Sequence, residues 1–212
     1  MKLATYKDGS RDGQLVVVSR DLNTAHFATG IADRLQQVLD DWNFISPQLQ
    51  DLYETLNNGK ARHAFPFDPK MCMAPLPRAY QWADGSAYIN HVELVRLARN
   101  SEVPANYYTE PLMYQGGSDD FLGPCDDVVC ASEAHGIDFE AELAVITGDV
   151  PMGSTPERAL DGIRLIMLAN VLSPGLPGVT GDTSATYQCD GSVLVSKNAV
   201  TGTWKEIRPA MS

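Results

Sequence analysis

The residues with the clearest chemical potential lie in one acidic stretch, Ile137–Ile146. Read with the two-residue period of a β-strand, the stretch places Asp138, Glu140 and Glu142 on one face and apolar side chains on the other. Like charges two residues apart on one strand face repel each other, and a bound cation relieves that repulsion. The pattern indicates either a solvated acidic face or a cation site, and the stretch alone favours neither.

A second pair of reactive side chains lies upstream, where Asp84 and His91 are seven residues apart. Asp84 and Gly85 have the composition of a turn, and Ser86 is suited to cap a helix that contains His91. This arrangement brings the carboxylate and the imidazole within reach of one pocket at the helix start. Carboxylate oxygens suit magnesium or calcium, and a histidine beside water supplies a base near neutral pH. For His91 taken alone, a structural histidine is the alternative.

Residues 108–120 form an irregular segment that contains Tyr114, Gly116 and Gly117. Adjacent glycines allow the backbone to approach a ligand that side chains would block. The alternative is a plain glycine-rich loop, and the pair of glycines does not decide between the two.

The elements that position these groups begin with a small β-rich unit to which we assign no chemistry. β-Branched runs between turn residues predict its strands, and apolar residues at helical spacing predict two helices. The strands are expected at Lys2–Tyr6, Gln14–Ser19 and Thr24–Thr29, the first helix at Ile31–Trp42, and the second after Pro47. Further along, the near-continuous apolar run Ile163–Asn170 predicts a buried strand.

Composition narrows the class of protein. The chain has 212 residues, 44% of them hydrophobic, which is enough for a proper core. A formal net charge of −11 argues against a nucleic-acid surface. No apolar run approaches the roughly 18 residues of a membrane span, and the N-terminus lacks a secretory apolar core. We therefore expect a cytoplasmic protein without nucleic-acid or membrane partners. The four cysteines include no C-x-x-C pair, so the sequence supports neither a zinc knuckle nor a thioredoxin-type motif.

Taken together, four segments resemble the fumarylacetoacetate hydrolase family. They are Trp82–Asp84, Asn90–His91, Pro111–Ser118 and Gly136–Glu142. The resemblance implies an α+β, mainly β, fold in which a catalytic domain of mixed β-roll type follows a small β-rich N-terminal domain. We accordingly predict an N-terminal domain at 1–70, an incomplete catalytic domain at 71–170 and a divergent tail at 171–212.

The same resemblance implies a role for each candidate site residue. The metal ligands would be Asp84, Glu140 and Glu142, the group that activates water would be His91, and the substrate pocket would include Tyr114 with Gly116 and Gly117. The implied cofactor is Mg²⁺ or Ca²⁺, with Mn²⁺ as a further choice. Family members cleave a carbon–carbon bond in β-diketo or oxo acids, as in aromatic catabolism, and related branches decarboxylate, isomerise or hydrate similar compounds. A homodimer is also expected.

The sequence departs from the family at Val171, where the resemblance implies a further aspartate ligand. Valine cannot coordinate a hard cation. The leading hypothesis is a metal-dependent hydrolase that acts on a fumarylacetoacetate- or acylpyruvate-like substrate. The alternative is a truncated, catalytically impaired member that acts only as a binding or dimerising module. A third interpretation, a sugar- or calcium-binding β module, explains the acidic strand but leaves His91 and Tyr114 unexplained.

Overall fold

A computed structural model of the chain describes residues 1–85, 87–98, 100–110, 112–118, 120–129, 137–174, 194–197 and 204–207. The chain is of mixed α/β type, and most of its regular elements are strands. It divides into two compact units. The first unit comprises Met1–Tyr80, Ser118–Val128 and Leu143–Leu168, and the second comprises Gln81–Gly117, Val129–Glu142 and Ala169–Ser212. Within the described residues, no helix has the length and apolarity needed to cross a membrane.

The first unit is built on a five-stranded antiparallel sheet. Its strands are β1 (Lys2–Tyr6), β2 (Gln14–Val18), β3 (Thr24–Phe27), β4 (Phe65–Pro66) and β5 (Cys72–Met73), in the order β4-β3-β2-β1-β5. The central strand β2 is apolar throughout its last four residues because both of its faces are buried. The three strands predicted from the sequence are confirmed, and β3 pairs with β2.

Two helices, α1 (Leu35–Asp40) and α2 (Trp42–Asn57), supply the residues that bury one face of this sheet. Leu15 and Val17 of β2 share a core cluster with Leu49 of α2, and all three are fully buried. The prediction that the second helix starts after Pro47 is wrong, because α2 contains that proline. Proline removes one backbone hydrogen bond from the helix, but the helix has residues on both sides of Pro47 in contact with the core, Trp42 before it and Leu49 after it.

The opposite face of the sheet is covered by aromatic side chains. The ring of Tyr6 lies 5.6 Å from that of Phe65 and 6.0 Å from that of Phe67, centroid to centroid. The hydroxyl of Tyr6 accepts a hydrogen bond from the backbone N–H of Asp68 at 2.7 Å, so this buried phenol has a polar partner.

The second unit contains a short antiparallel strand pair and one helix. The elements are β6 (Ala83–Gly85), α3 (Ile89–Ala98) and β7 (Met113–Gln115), and β6 pairs with β7. The predicted capping residue Ser86 lies outside the described residues, while the helix it precedes is present.

Two long strands, β8 (Ile137–Thr147) and β9 (Ile163–Pro174), pair with each other on either side of a short helix, α4 (Pro156–Leu160). Ile146 and Leu165 pack against the core cluster of the first unit. The alternate residues Ile166 and Leu168 are 66% and 73% exposed. The predicted strand at Ile163–Asn170 is confirmed. Its predicted burial is wrong for one face, because only the other face is covered in the described structure.

The last described elements are β10 (Leu194–Lys197) and β11 (Trp204–Ile207). They form an antiparallel pair in which Leu194 is opposite Ile207.

Candidate functional site

The strand pair β6–β7 brings two of the predicted site residues together. Asp84 and Tyr114 occupy directly opposite positions in the antiparallel register, so their side chains project to the same face of the pair. The Tyr114 hydroxyl donates a hydrogen bond to Oδ2 of Asp84 at 2.9 Å. The structure thus joins a predicted metal ligand to a predicted substrate-pocket residue, although they are thirty residues apart in sequence.

The ionisation of Tyr114 is shifted by its surroundings. Partial burial, the hydrogen bond to Asp84 and the negative charges of Asp84, Glu140 and Glu142 together raise the pKa of the phenol to about 12. Because 48% of the residue remains exposed, the hydrogen bond and the nearby carboxylates are the better-supported causes. At neutral pH Tyr114 is consequently a hydrogen-bond donor and not a base.

The acidic strand contributes Glu140 and Glu142 to the same surroundings. Both glutamates lie on β8, are half-buried, and act electrostatically on the Tyr114 phenol. The strand alternates as predicted, but the more exposed face carries apolar residues, with Leu143 69% exposed. A solvated acidic face is thus not what β8 presents at these two positions. The side chain of Asp138 lies outside the described residues.

The remaining predicted residues are placed less completely. His91 lies on α3, but its side chain is outside the part of the chain that the structure describes, so its catalytic role stays a prediction. Gly116 and Gly117 follow β7 directly. Val171 lies on β9 and is half-buried.

The structure gives a steric reason for glycine at position 116. A Cβ atom at this position would collide with Cε3 and Cζ3 of the Trp82 ring. The Trp82 ring also meets the Tyr114 ring edge-on, with the centroids 5.6 Å apart. Trp82 is the site-related residue that the motif analysis left without a role. Its position two residues before Asp84 was the available signal.

The donor set suits a hard divalent cation in its chemistry. Asp84, Glu140 and Glu142 offer carboxylate oxygens, which Mg²⁺ and Ca²⁺ prefer, and all three act on one phenol. The hydrogen bond from Tyr114 engages Oδ2 of Asp84, and a carboxylate has a second oxygen to offer. Among the side chains that the structure describes, however, no three of the His, Cys, Asp and Glu types are grouped closely enough to hold a metal ion. The ligand set therefore stays a prediction.

Comparison with known families gives two matches that follow each other along the sequence. Residues 81–208 match the family model described as fumarylacetoacetate (FAA) hydrolase C-terminal, and residues 1–78 match fumarylacetoacetase N-terminal domain 2. The larger match alone spans more than half of the chain, and the chain therefore belongs to the fumarylacetoacetate hydrolase family. The match runs on through most of the stretch 171–212, which the sequence analysis treats as a divergent tail. No curated protein matches the chain.

Proposed function

We propose that this chain is a divalent-metal-dependent hydrolase that cleaves a carbon–carbon bond in a β-diketo or oxo acid of the fumarylacetoacetate or acylpyruvate type. The observation that carries the proposal is the Tyr114–Asp84 hydrogen bond, formed beside the charges of Glu140 and Glu142. It lies within the segment that matches the hydrolase family. We include the mixed β-roll fold, the homodimer and the cytoplasmic location in the proposal.

Asp84, Glu140 and Glu142 are the residues that would hold Mg²⁺ or Ca²⁺, with Mn²⁺ as a further choice, because their oxygens match these cations. A bound divalent cation supplies Lewis-acid polarisation of the substrate carbonyl and charge stabilisation for the departing enolate.

The chain's own side chains supply the proton transfers and the positioning. His91 accepts a proton from the attacking water, whose oxygen bonds to the carbonyl carbon. The bond to the neighbouring carbon then breaks, its electron pair leaves with that carbon as an enolate, and the His91 imidazolium returns the proton to it. Tyr114, which keeps its proton at neutral pH, donates a hydrogen bond and orients an acidic partner. The backbone at Gly116 and Gly117 borders the substrate next to Tyr114.

A second candidate function is favoured by Val171. An apolar side chain occupies the position where the family resemblance implies an aspartate ligand, and the valine side chain has no atom that can coordinate a cation. A catalytically impaired member, which acts only as a binding or dimerising module, would keep the fold without turnover. Isomerase, decarboxylase or hydratase activity on related oxo acids is the remaining alternative within the family.

Calorimetry with Mg²⁺ and with Ca²⁺ tests the metal site directly. We expect Glu140→Ala and Glu142→Ala each to weaken binding by about tenfold or more, because each removes one carboxylate ligand. Glu157→Ala is the matched control, since this exposed glutamate of α4 belongs to the first unit, whereas Glu140 and Glu142 belong to the second. Equal heats for all four proteins would refute the site.

Turnover distinguishes the two candidate functions. The hydrolase predicts metal-dependent loss of an acylpyruvate with formation of a carboxylic acid and a smaller oxo acid. The impaired member predicts unchanged acylpyruvate with every divalent ion, while circular dichroism shows an intact fold.

A further inference from the structure

The strand pair that holds Asp84 opposite Tyr114 is too short to fix its own register. It consists of three opposed pairs, Ala83–Gln115, Asp84–Tyr114 and Gly85–Met113. An isolated two-stranded ribbon is marginally stable, and a slip by one residue turns every side chain to the other face. After such a slip Asp84 would be opposite Met113 or Gln115, and the hydrogen bond from Tyr114 would be lost. Something outside the three pairs must select the observed register.

Trp82 makes three contacts that distinguish this register from its neighbours. Its backbone carbonyl accepts a hydrogen bond from the N–H of Gly116 at 3.2 Å, which extends the ladder beyond Gln115. Its six-membered ring occupies the space that a Cβ at position 116 would fill. Its ring also meets the Tyr114 ring edge-on, an arrangement that aromatic pairs prefer.

The glycine at position 116 is needed for space and not for backbone conformation. Gly116 is not among the glycines with a left-handed φ, so an alanine there would not be strained by its φ angle. A slip that moved Gln115 into this position would bring a side chain against the Trp82 ring. The opposite slip would place Gly117 there without a clash, but it would turn Tyr114 to the other face of the strand pair. One slip is therefore penalised sterically, and the other loses the contact between the Trp82 and Tyr114 rings that the observed register makes.

We propose that Trp82 is a positioning residue. Its ring packs against Gly116 and thereby locks the register in which the Tyr114 hydroxyl donates its hydrogen bond to Asp84. Its relevance to catalysis rests on the proposed function, but the register lock is a property of β6 and β7 alone. Trp82 needs no contact with substrate or cation to act in this way.

Backbone amide exchange, followed by NMR on the full chain, tests the lock. Gly116→Ala should lower the exchange protection of the residue 116 amide by about tenfold or more, because the added methyl pushes the Trp82 ring away. Gly85→Ala is the matched control on the same strand pair. A Cβ at Gly85 meets nothing within 4 Å. In Gly85→Ala the protection of the residue 116 amide should therefore stay within about twofold of wild type. Equal effects of the two substitutions would overturn the proposal.

A double variant identifies the Trp82 ring as the cause. If the ring is what excludes a side chain at 116, adding Gly116→Ala to Trp82→Ala should change protection by less than about twofold. An additive loss in the double variant would show that the glycine serves another purpose, and it would refute the lock.

Metal binding separates positioning from general structure. With Mn²⁺ as probe, Trp82→Ala should weaken binding, and the loss of affinity should be similar to that caused by Asp84→Asn. The thermal midpoint of the first unit should stay within a degree or two of the wild-type value. If wild-type protein binds no Mn²⁺, the proposed function fails but the exchange results still decide the lock. If Mn²⁺ binds and Trp82→Ala leaves its affinity unchanged, the positioning role is refuted.

Discussion

The choice of side chain at Val171 determines how many charges could surround a cation in this chain. Three carboxylates are within electrostatic reach of Tyr114, and the family resemblance implies a fourth ligand at a position that is apolar here. Carboxylate count is one of the quantities that set the affinity of a hard-cation site. A site with one carboxylate fewer should be weaker and is open to repair by a single substitution.

Val171→Asp is the first prediction at the residue scale. It should tighten Mg²⁺ binding by about tenfold or more, because it adds an anionic oxygen donor at a half-buried position. Calorimetry measures the change. Val171→Asn is the control, since it adds a neutral oxygen of the same size and should give a much smaller gain. If the aspartate and asparagine variants bind Mg²⁺ equally, residue 171 is not a ligand position.

Cys72 gives a second prediction at this scale. Burial raises the pKa of its thiol to about 11. At pH 8 the reactive thiolate is then roughly a hundredfold rarer than in an ordinary cysteine. Alkylation of Cys72 by iodoacetamide, followed by peptide mass spectrometry, should be slow in the folded chain and fast in urea. The thiol contributes stability that declines as pH rises above about 9. Equal alkylation rates in folded and unfolded protein would contradict the burial of this side chain.

The two faces of β9 have opposite environments, although the sequence of the strand is almost uniformly apolar. Leu165 packs against the core cluster, while Leu168, three residues further, is 73% exposed. A continuous apolar run is compatible with burial on both faces or on one, so the sequence could not decide between them. The pairing partner and the layer beneath the strand supply the missing information.

Leucine truncation on the two faces of β9 should therefore differ in cost. Leu165→Ala is expected to lower the free energy of unfolding by about 2 kcal/mol, because it leaves a cavity beside the core. Leu168→Ala should change it by about 0.5 kcal/mol or less, since its side chain is mostly in solvent. Urea unfolding gives both values. Equal losses would show that the outer face of β9 is covered.

An ion pair between β1's end and a downstream loop gives an element-scale prediction on pH. Lys7 Nζ lies 2.6 Å from Oδ1 of Asp126, and this hydrogen bond, with a second one from the Gly123 N–H, lowers the pKa of the Asp126 carboxyl. The stability it contributes is present above the ordinary aspartate value of about 4 and is lost as pH falls through the lower folded value.

The Asp126 contribution should be small because the pair is about one-third exposed. Asp126→Asn is expected to cost about 0.5 kcal/mol at pH 7 and to have less effect at pH 2.5. Its exposed neighbour provides the control, because Asp127→Asn should have little effect at either pH. Urea titrations at the two pH values measure the difference. A cost for Asp126→Asn that does not change with pH would rule out the ionised carboxylate as the cause.

For the molecule as a whole, the sequence predicted the first unit better than the second. Period-two and helical patterns located β1, β2, β3 and both helices because each buries a face against a core within the same unit. The site was predicted as a set of residue types. The opposition of Asp84 and Tyr114 depends on a three-pair register, and Trp82 selects it through a contact with a glycine. No local pattern encodes a contact between residues more than thirty apart.

The distribution of buried residues predicts how the two units respond to exchange. The fully buried side chains Leu15, Val17 and Leu49 lie in the first unit, whereas Val92 is the single buried apolar residue among those described in the second. Because local opening is easiest where few apolar contacts must be broken, amides of β1, β2 and β3 should exchange far more slowly than those of α3. We expect at least about a hundredfold difference in protection, measured by hydrogen exchange at pH 7.

Adding Mg²⁺ should narrow this difference in protection if the carboxylates of the second unit bind the cation, because a ligand stabilises the folded state that binds it. Equal protection without added metal would mean that the second unit has a core of its own, and the account of Trp82 as its register lock would then lose its premise.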